Sequence, residues 1–213
     1  MSNISIATIA VLVDLNISMW TARKLDKAVS KEIDVDKHTT VSGGNYNKHL
    51  LAGSGQLARI SKLASEIRDW HTRQTLPWSD TGTRLLPTAN LFDYKERLGH
   101  YESEFNNAVS EFLVDYPQIV TMMAYNLGRL FDRAEYPDAE QIRAKFGLRH
   151  TIMPVPESGD FRVDIADDIK AKMKTDYEDA YAGRLDSAVG DAWSRLHTTL
   201  KHMAERLGGN SKK

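Results

Sequence analysis

The longest helical pattern of apolar residues lies at the C-terminal end of the chain. Between Ala166 and Leu207 there is no proline, and apolar residues recur every three or four positions, which is the spacing of one helix face. This stripe consists of Ile169, Met173, Tyr177, Tyr181, Leu185, Ala188, Ala192, Leu196, Leu200, Met203 and Leu207. One unbroken helix over this range would be about 63 Å long at 1.5 Å per residue. Because a compact domain of this size is far narrower, we expect the helix to project or to break at Gly183 or Gly190.

Other apolar patterns predict shorter helices, which cover residues 20–29, 56–74, 90–115, 119–131 and 138–146. Pro117 and Pro137 separate the last three, because proline removes a helical hydrogen bond and disfavours the helical conformation of the residue before it. Residues Asp34–Tyr46 have no apolar periodicity. They predict a loop that is either mobile or closes over a partner.

Three segments predict strands or extended structure. The β-branched run Ser5–Val13 predicts a buried strand. Thr151–Pro156 and Phe161–Ile165 predict two more strands joined by a turn, and the prolines of the first place it at a sheet edge. Leu76–Pro87 contains two prolines and a glycine and predicts an ordered loop, because its large apolar side chains are costly to leave in water.

These elements predict an α+β fold that is predominantly helical. We expect a small sheet of about three strands from residues 5–17 and 150–165, together with a helical bundle that includes the long C-terminal helix. Residues 1–165 would form one mixed α+β domain, and residues 166–213 would pack on 90–115, or on another subunit as a coiled coil. Because the apolar stripe is longer than one small domain can cover, we expect a homo-oligomer.

Composition narrows the class of protein. The chain has 213 residues, 41% of them hydrophobic and 27% charged, with a formal net charge of −1. These values are typical of a folded domain and exclude a surface that is cationic throughout. The absence of cysteine excludes disulfides, thiolate nucleophiles and cysteine-ligated metals. Basic residues outnumber acidic ones in residues 1–90 but not in 91–160, so an anionic partner is better sought in the first segment.

The apolar N-terminal run does not have the features of a targeting segment. No basic residue precedes it, since the first is Arg23, whereas a signal peptide begins with a positive region. A membrane-spanning helix needs about 20 apolar residues, and this run is much shorter. We therefore expect a soluble cytoplasmic protein that does not bind a membrane.

Motifs for common enzyme chemistry are missing from the sequence. There is no Gly-Lys-Ser/Thr, HExxH or GxSxG, so nucleotide hydrolysis, zinc proteolysis and a serine triad have no sequence support. Gly53–Ala58 matches GxGxxA but lacks a surrounding βαβ unit, and is better interpreted as a flexible helix start. Asp164, Asp167 and Asp168 lie where carboxylates stabilise a helix N-terminus. We expect no enzyme activity, catalytic residue, cofactor or metal, although a site built from distant residues stays open.

The strongest functional signal is the mixture of basic and aromatic residues in the first 90 positions. Single-stranded nucleic acid needs cations for its phosphates and flat rings for its bases. The candidate nucleic-acid-binding residues are Trp20, Arg23, Lys24, Arg68, Arg73, Trp78 and Arg84. The alternative is that the tryptophans are core residues with a solvated basic rim, which is favoured by the helical spacing of Ile60, Leu63, Ile67 and Trp70.

The chain resembles an uncharacterised family of proteins from tailed phages and integrative mobile elements. The residues that carry the resemblance are Val13–Lys24, Leu76–Pro87, Tyr136-Pro137 followed by Phe146, and Pro154–Pro156 followed by Phe161-Arg162. Members of that family continue past a lysine-rich point like Ser211–Lys213, so the resemblance implies a short or truncated member. It also implies a phage or mobile-element setting in the host cytoplasm, and it assigns no chemistry.

Two functional hypotheses follow from these observations. The first is a non-enzymatic phage accessory protein of DNA metabolism that binds single-stranded DNA through the seven residues named above. The alternative is a protein–protein adaptor or assembly component that acts through the long C-terminal helix, of an oligomeric, counter-defence or ATPase-partner type. Exposure of the tryptophans separates the two, because buried rings cannot stack on bases.

Overall fold

The structure of the chain is a computed structural model, which describes residues 6–156 and 167–208. It confirms an α+β fold that is predominantly helical, with a small antiparallel sheet and a long C-terminal helix. The helices are α1 (Ile6–Ile9), α2 (Lys27–Asp36), α3 (Gly55–Gln74), α4 (Leu91–Asn126), α5 (Ala139–Arg143) and α6 (Asp167–Gly208). The strands are β1 (Ala10–Ser18), β2 (Arg23–Leu25), β3 (Asn47–His49), β4 (Leu76–Pro77), β5 (Arg84–Pro87) and β6 (Gly147–Pro154).

The main sheet has four strands in the order β4-β5-β1-β6, and β2 and β3 form a separate antiparallel pair. The central strand β5 is antiparallel to both of its neighbours. Leu85 of β5 lies opposite Leu12 of β1 on one side and opposite Leu76 of β4 on the other. The predicted strand Phe161–Ile165 lies outside the described residues.

The segment Leu76–Pro87, predicted as a loop, is a hairpin that contributes two strands, β4 and β5, to the sheet. Its two prolines lie at the ends of β4 and β5, where a missing backbone donor is tolerated. Its glycine, Gly82, has φ 104° in the turn between the strands, a conformation that favours glycine. The residues that argued against a helix here are therefore the ones that permit a hairpin.

The first strand begins later than predicted. Residues Ile6–Ile9 form α1, and β1 runs from Ala10 to Ser18, whereas the apolar run predicted a strand over Ser5–Val13. Leu12 of β1 is buried in the core. The strand extends into polar sequence because sheet neighbours, and not hydrophobicity alone, fix its length.

The predicted helix over residues 20–29 is wrong. Residues Arg23–Leu25 form β2, and α2 begins only at Lys27. The helix begins there because the Asp26 carboxylate accepts hydrogen bonds of 3.1 Å from two backbone amides of the first turn. The predicted loop Asp34–Tyr46 overlaps the end of α2 and is otherwise irregular up to β3.

Helix α4 contains a proline where the sequence predicted a break between two helices. It continues from Leu91 to Asn126 through Pro117. A proline inside a helix costs about 3 kcal/mol or more. Pro117 itself is exposed, while Tyr116 and Ile119 on either side are buried. Packing of the apolar stripe therefore outweighs the local preference.

The chain forms two compact units. The first comprises Met1–Leu15, Arg68–Gly99 and Arg149–Lys213, and the second comprises Asn16–Ile67 and His100–Leu148. The core of the first unit includes Ala10, Leu12, Trp78, Leu85, Val155 and Ala188. Helix α6 thus belongs with sheet residues, whereas the sequence treated 166–213 as a separate region.

Aromatic side chains build the core of the second unit. The Phe112 and Tyr116 rings lie 5.9 Å apart on α4. The Tyr116 hydroxyl donates to the Pro137 carbonyl at 3.0 Å, and the Tyr136 hydroxyl donates to the Leu50 carbonyl at 2.8 Å. Burial raises the pKa of Tyr116 to about 12, so these tyrosines act as neutral donors that fix the connecting segments.

Helix α6 is continuous over 42 residues. Neither Gly183 nor Gly190 breaks it. Its most extensive contact with the sheet is with β4, and its packing on residues 90–115 or on another subunit stays a prediction. A helix of this length measures about 63 Å at 1.5 Å per residue, so one sheet strand covers only part of it.

Candidate functional site

The candidate nucleic-acid-binding residues are divided between the two units. Trp20, Arg23 and Lys24 belong to the second unit. Arg68, Arg73, Trp78 and Arg84 belong to the first.

The tryptophans of the first 90 residues have rings engaged in packing. Trp78 is 4% exposed and meets the Tyr181 ring edge-on at 5.4 Å. Trp70 is buried as well and stacks on Tyr94 at 4.8 Å. Trp20 is half-buried, with its ring edge-on to Tyr116 at 6.0 Å. A base would have to displace core contacts in order to stack on Trp78 or Trp70.

The Arg84 side chain caps the C-terminal end of α3. Its guanidinium donates to Thr75 Oγ1 at 2.7 Å and to the carbonyl oxygens of Thr75 and Thr72 at 3.1 and 3.3 Å. Arg195 of α6 donates to the Thr72 and Arg73 carbonyls at 3.1 and 2.9 Å. Carbonyls at a helix C-terminus lack intrahelical donors, so the two arginines satisfy them. This is a structural role for Arg84, which the sequence had assigned to phosphate.

The charges around Arg84 come from α6. Burial lowers the pKa of Arg84, the positive charge of Arg195 lowers it further, and Asp191 acts in the opposite direction. Asp191 also forms an ion pair with Arg195, with 2.6 Å between Asp191 Oδ2 and Arg195 Nε. The guanidinium stays protonated despite this shift, because arginine is not deprotonated in proteins.

In the second unit, an ion cluster engages Lys24 but not Arg23. The Lys24 ammonium lies 3.7 Å from a Glu135 oxygen. Lys48, only 3% exposed, lies 2.5 Å from the other Glu135 oxygen. Burial acts to lower the pKa of Lys48, but Glu135 and Asp26 outweigh it and raise that pKa above its usual value. Both lysines therefore have a structural role in ion pairs within the fold, while Arg23 is exposed on β2.

Arg68 and Arg73 lie exposed near the C-terminal end of α3. Together with Arg23, these two arginines have the solvent exposure that phosphate binding requires. Arg68 has an interaction within the fold as well. The structure thus leaves Arg23, Arg68 and Arg73 exposed, engages Lys24 and Arg84 within the fold, and packs the tryptophans into the units.

A buried histidine follows Trp70. His71 Nδ1 lies 2.8 Å from the Tyr94 hydroxyl, and Nε2 has no hydrogen-bond partner among the described residues. Burial first, and then the positive charge of Arg84, lower the pKa of His71 to about 4, while Asp14 acts to raise it. The ring is therefore neutral at neutral pH. In residues 6–156 and 167–208, no group of three histidine or acidic side chains could hold a metal ion.

A row of exposed apolar side chains lies on the C-terminal part of α6. Six side chains there are 46% to 75% exposed. They are Val189, Trp193, Leu196, Leu200, Met203 and Leu207, and they are termed the seam below. Upstream on the same helix, Ala188 is 1% exposed and Tyr181 is half-buried against the core.

A groove continues the seam toward the sheet. It has a volume of about 250 Å³ and is lined by Ile6, Leu76, Leu85, Leu185, Ala188, Val189, Ala192, Trp193 and Leu196. All of its lining residues are apolar. The first half of the seam therefore forms one wall of a concave apolar surface, a typical shape for a binding groove.

Sequence reasoning missed two residues of this surface. The predicted stripe on α6 included Leu196, Leu200, Met203 and Leu207 but neither Val189 nor Trp193. The signal was present in the alternating steps of four and three residues from 189 to 207. A stripe drawn at a single average step runs through Ala188 and Ala192 instead, which lie on the side of α6 nearer to the core.

No family model, no curated protein and no solved structure matches the chain. The resemblance to phage and mobile-element proteins therefore stays a prediction. Within the part of the chain that the structure describes, no helix has both the length and the apolar character that crossing a membrane requires.

Proposed function

We propose that the chain is an assembly component that binds another protein through the seam of α6. The observation that carries this proposal is the exposure of six large apolar side chains in one row. Large contiguous apolar patches are uncommon on monomeric proteins, and they mark interaction sites when polar residues surround them. The phage or mobile-element setting is part of the proposal and rests on the resemblance alone.

The seam has the composition of a binding surface. Tryptophan, methionine and leucine dominate it, and tryptophan and methionine are enriched in the centres of protein interfaces. Charged residues such as Asp191, Arg195, Lys201 and Glu205 occupy other positions of the same helix. An apolar centre with a polar surround supports protein docking better than binding to a polyanion.

Site-specific photo-crosslinking in the cell that produces the chain tests the proposal. A benzophenone amino acid replaces Leu200 in one variant and Thr198, which is exposed outside the seam, in the control. We expect one defined protein to be crosslinked at 200 and not at 198, and Leu196→Glu to abolish that product. Equal labelling at both positions, or none at either, would contradict the proposal.

Binding of single-stranded nucleic acid is a second proposal, and an exposed basic surface in the second unit supports it. Arg23 lies opposite His49 across the β2–β3 pair. Lys27 and Lys31 of α2 line a neighbouring groove of about 650 Å³. In this form of the hypothesis the basic residues contact phosphate and the buried tryptophans do not stack.

Fluorescence anisotropy of labelled oligonucleotides at several salt concentrations tests this second proposal. For single strands the logarithm of affinity falls by about 0.7 per phosphate contact for each logarithmic unit of salt. We expect Arg23→Ala to reduce that slope by about one contact, and Lys62→Ala, which replaces an exposed α3 lysine that lies near Glu66, to leave it unchanged. Salt-independent binding, or none at low salt, would remove the proposal.

A further inference from the structure

The seam has the heptad spacing of a two-stranded coiled coil. Its six residues follow one another at steps of four, three, four, three and four. In a heptad written abcdefg this spacing assigns Trp193, Leu200 and Leu207 to position a, and Val189, Leu196 and Met203 to position d. All six a and d positions between 189 and 207 are thus apolar and exposed.

We infer that the partner of the seam is a second copy of this chain, paired antiparallel about a two-fold axis near residue 198. This inference rests on the proposed function and names its partner. Antiparallel pairing places each a residue opposite a d residue of the other copy. The layers are then Val189 with Leu207, Trp193 with Met203, and Leu196 with Leu200, and each layer occurs twice by symmetry.

The positions that flank the seam are compatible with an identical partner. Positions e and g are Gly190, Ala192, His197, Thr199, Ala204 and Arg206, and Arg206 is the one arginine, lysine or acidic residue among them. Like charges at e and g are the usual means by which coiled coils reject a partner. Charged residues lie instead at the outer b, c and f positions. A second copy therefore meets apolar or small polar surface and no like-charge repulsion.

Side-chain size favours the antiparallel orientation. In a parallel pair, Trp193 of one copy would meet Trp193 of the other within one layer. In the antiparallel pair it meets Met203, whose flexible thioether makes favourable contacts with aromatic rings. The antiparallel arrangement also opposes the two helix dipoles, which is electrostatically favourable.

The groove beside the seam lies where it can extend the contact between the two helices of the antiparallel pair. It is lined by Val189, Trp193 and Leu196 together with Ile6 and Leu76. Antiparallel pairing brings Met203 and Leu207 of the second copy to this end of the helix. In the chain that the structure describes, Met203 and Leu207 are 54% and 75% exposed, so both side chains are available for this contact.

The surface available is sufficient for a dimer. At these exposures each seam side chain presents on the order of 100 Å² to water. Six side chains from each of two copies therefore bury roughly 1,200 Å² in total, which is the lower end of the range for specific stable interfaces. The groove residues add to that area.

Sedimentation equilibrium of the full chain across a wide concentration range tests the inference. We expect a monomer–dimer equilibrium with no larger species. Leu200→Glu introduces a carboxylate into two central layers, and we expect it to weaken dimerisation by at least about a hundredfold. Thr198→Glu adds the same charge at an outer f position and keeps the dimer. Circular dichroism confirms that both variants fold.

Disulfide trapping tests the orientation, in a chain that contains no cysteine of its own. Val189→Cys and Leu207→Cys variants, oxidised separately and as a mixture, form a disulfide only in the mixture if the pair is antiparallel. Disulfides within each separate variant would overturn the orientation. A chain that stays monomeric at all concentrations would overturn the second-copy inference. If that monomer still crosslinks to a different protein through position 200, the proposed function survives and only this inference fails.

Discussion

The two halves of α6 show how one helix can serve both a core and a surface. At Tyr181 and Ala188 the helix packs on the core, and Ala188 is almost fully buried in the cluster that includes Trp78 and Leu85. From Val189 onward the apolar side chains are exposed. The sequence is apolar at helical spacing in both halves. The difference lies in what covers each half, since Ala188 belongs to the core whereas the six seam side chains stay exposed, although Leu76 and Leu85 border the first three of them in the groove.

This comparison shows that apolar residues at helical spacing indicate a helix face that packs against something. They do not indicate which element or partner packs there. In the packed half the cover is the chain itself, and substitution there lowers the free energy of unfolding. In the exposed half the cover has to come from elsewhere, and substitution there lowers affinity instead. Four expectations follow, in order of decreasing effect.

The largest expected effect is the difference in stability between two tryptophan variants. Trp78→Ala removes a ring that is 4% exposed in the core, and we expect it to lower the free energy of unfolding by about 3–5 kcal/mol. Trp193→Ala removes a ring that is 66% exposed, and we expect a change within about 0.5 kcal/mol. Urea denaturation at protein concentrations low enough to avoid association measures both. Equal losses would show that the seam is part of the core.

Lowering the pH destabilises the fold through protonation of His71. In the fold its pKa is about 4, whereas in the unfolded chain it is about 6.5. Between these values the unfolded chain binds the additional proton, so stability falls as the pH is lowered from about 6.5 to about 4, and this group causes no further loss below that. The full loss is about 3 kcal/mol.

Denaturation curves measured across this pH range isolate the contribution of His71. We expect His71→Asn, which retains a polar group near the Tyr94 hydroxyl, to flatten the acid limb of the stability curve. His197→Asn on the exposed half serves as the control and keeps that limb. An acid limb that is the same in all three proteins would show that the ring of His71 is not the group responsible.

A smaller effect is expected from the hydrogen bonds that join Arg195 of α6 to α3. Arg195→Ala removes hydrogen bonds to the Thr72 and Arg73 carbonyls, and we expect a loss of about 1–2 kcal/mol. Arg206→Ala, an exposed arginine further along the seam half, changes stability by less than about 0.5 kcal/mol. Thermal and urea unfolding compare the two variants. Indistinguishable stabilities would mean that the cap on α3 contributes nothing.

The smallest effect is a gain at the boundary between the halves. A Cβ at Gly190 would meet no atom of the described chain within 4 Å, so Gly190→Ala adds helix propensity without a clash. We expect it to raise the free energy of unfolding by up to about 1 kcal/mol. Gly183→Ala in the packed half is equally open and provides the matched gain. A loss at 190 alone would reveal a close neighbour at that position.

Sequence patterns predicted the regular helices well where the apolar stripe was long. The α3 prediction, residues 56–74, differs from the structure by one residue at its start. The continuity of α4 through Pro117 could not be predicted, because it depends on buried residues on both sides of the proline. The strands β5 and β2 also depend on pairing with β1 and β3, which are distant from them in sequence and which local propensity does not encode.

The candidate site was harder to predict than the fold. Basic residues beside tryptophans are expected in a nucleic-acid-binding surface. They are equally expected where an arginine caps a helix and the tryptophan ring packs in the core. The Arg84 hydrogen bonds to α3 and the burial of Trp78 are tertiary facts that composition cannot distinguish from the alternative. The seam could be predicted from the sequence, but only from its alternating steps of four and three residues and not from an average helical period.

The exposure of Trp193 also makes the chain its own optical probe. The other three tryptophans are buried or half-buried, so a small aqueous quencher such as acrylamide will reach the Trp193 indole first. Any molecule that covers the seam removes that indole from water, and the emission then shifts to shorter wavelength and resists the quencher. Association can therefore be followed on the unlabelled protein by its intrinsic fluorescence.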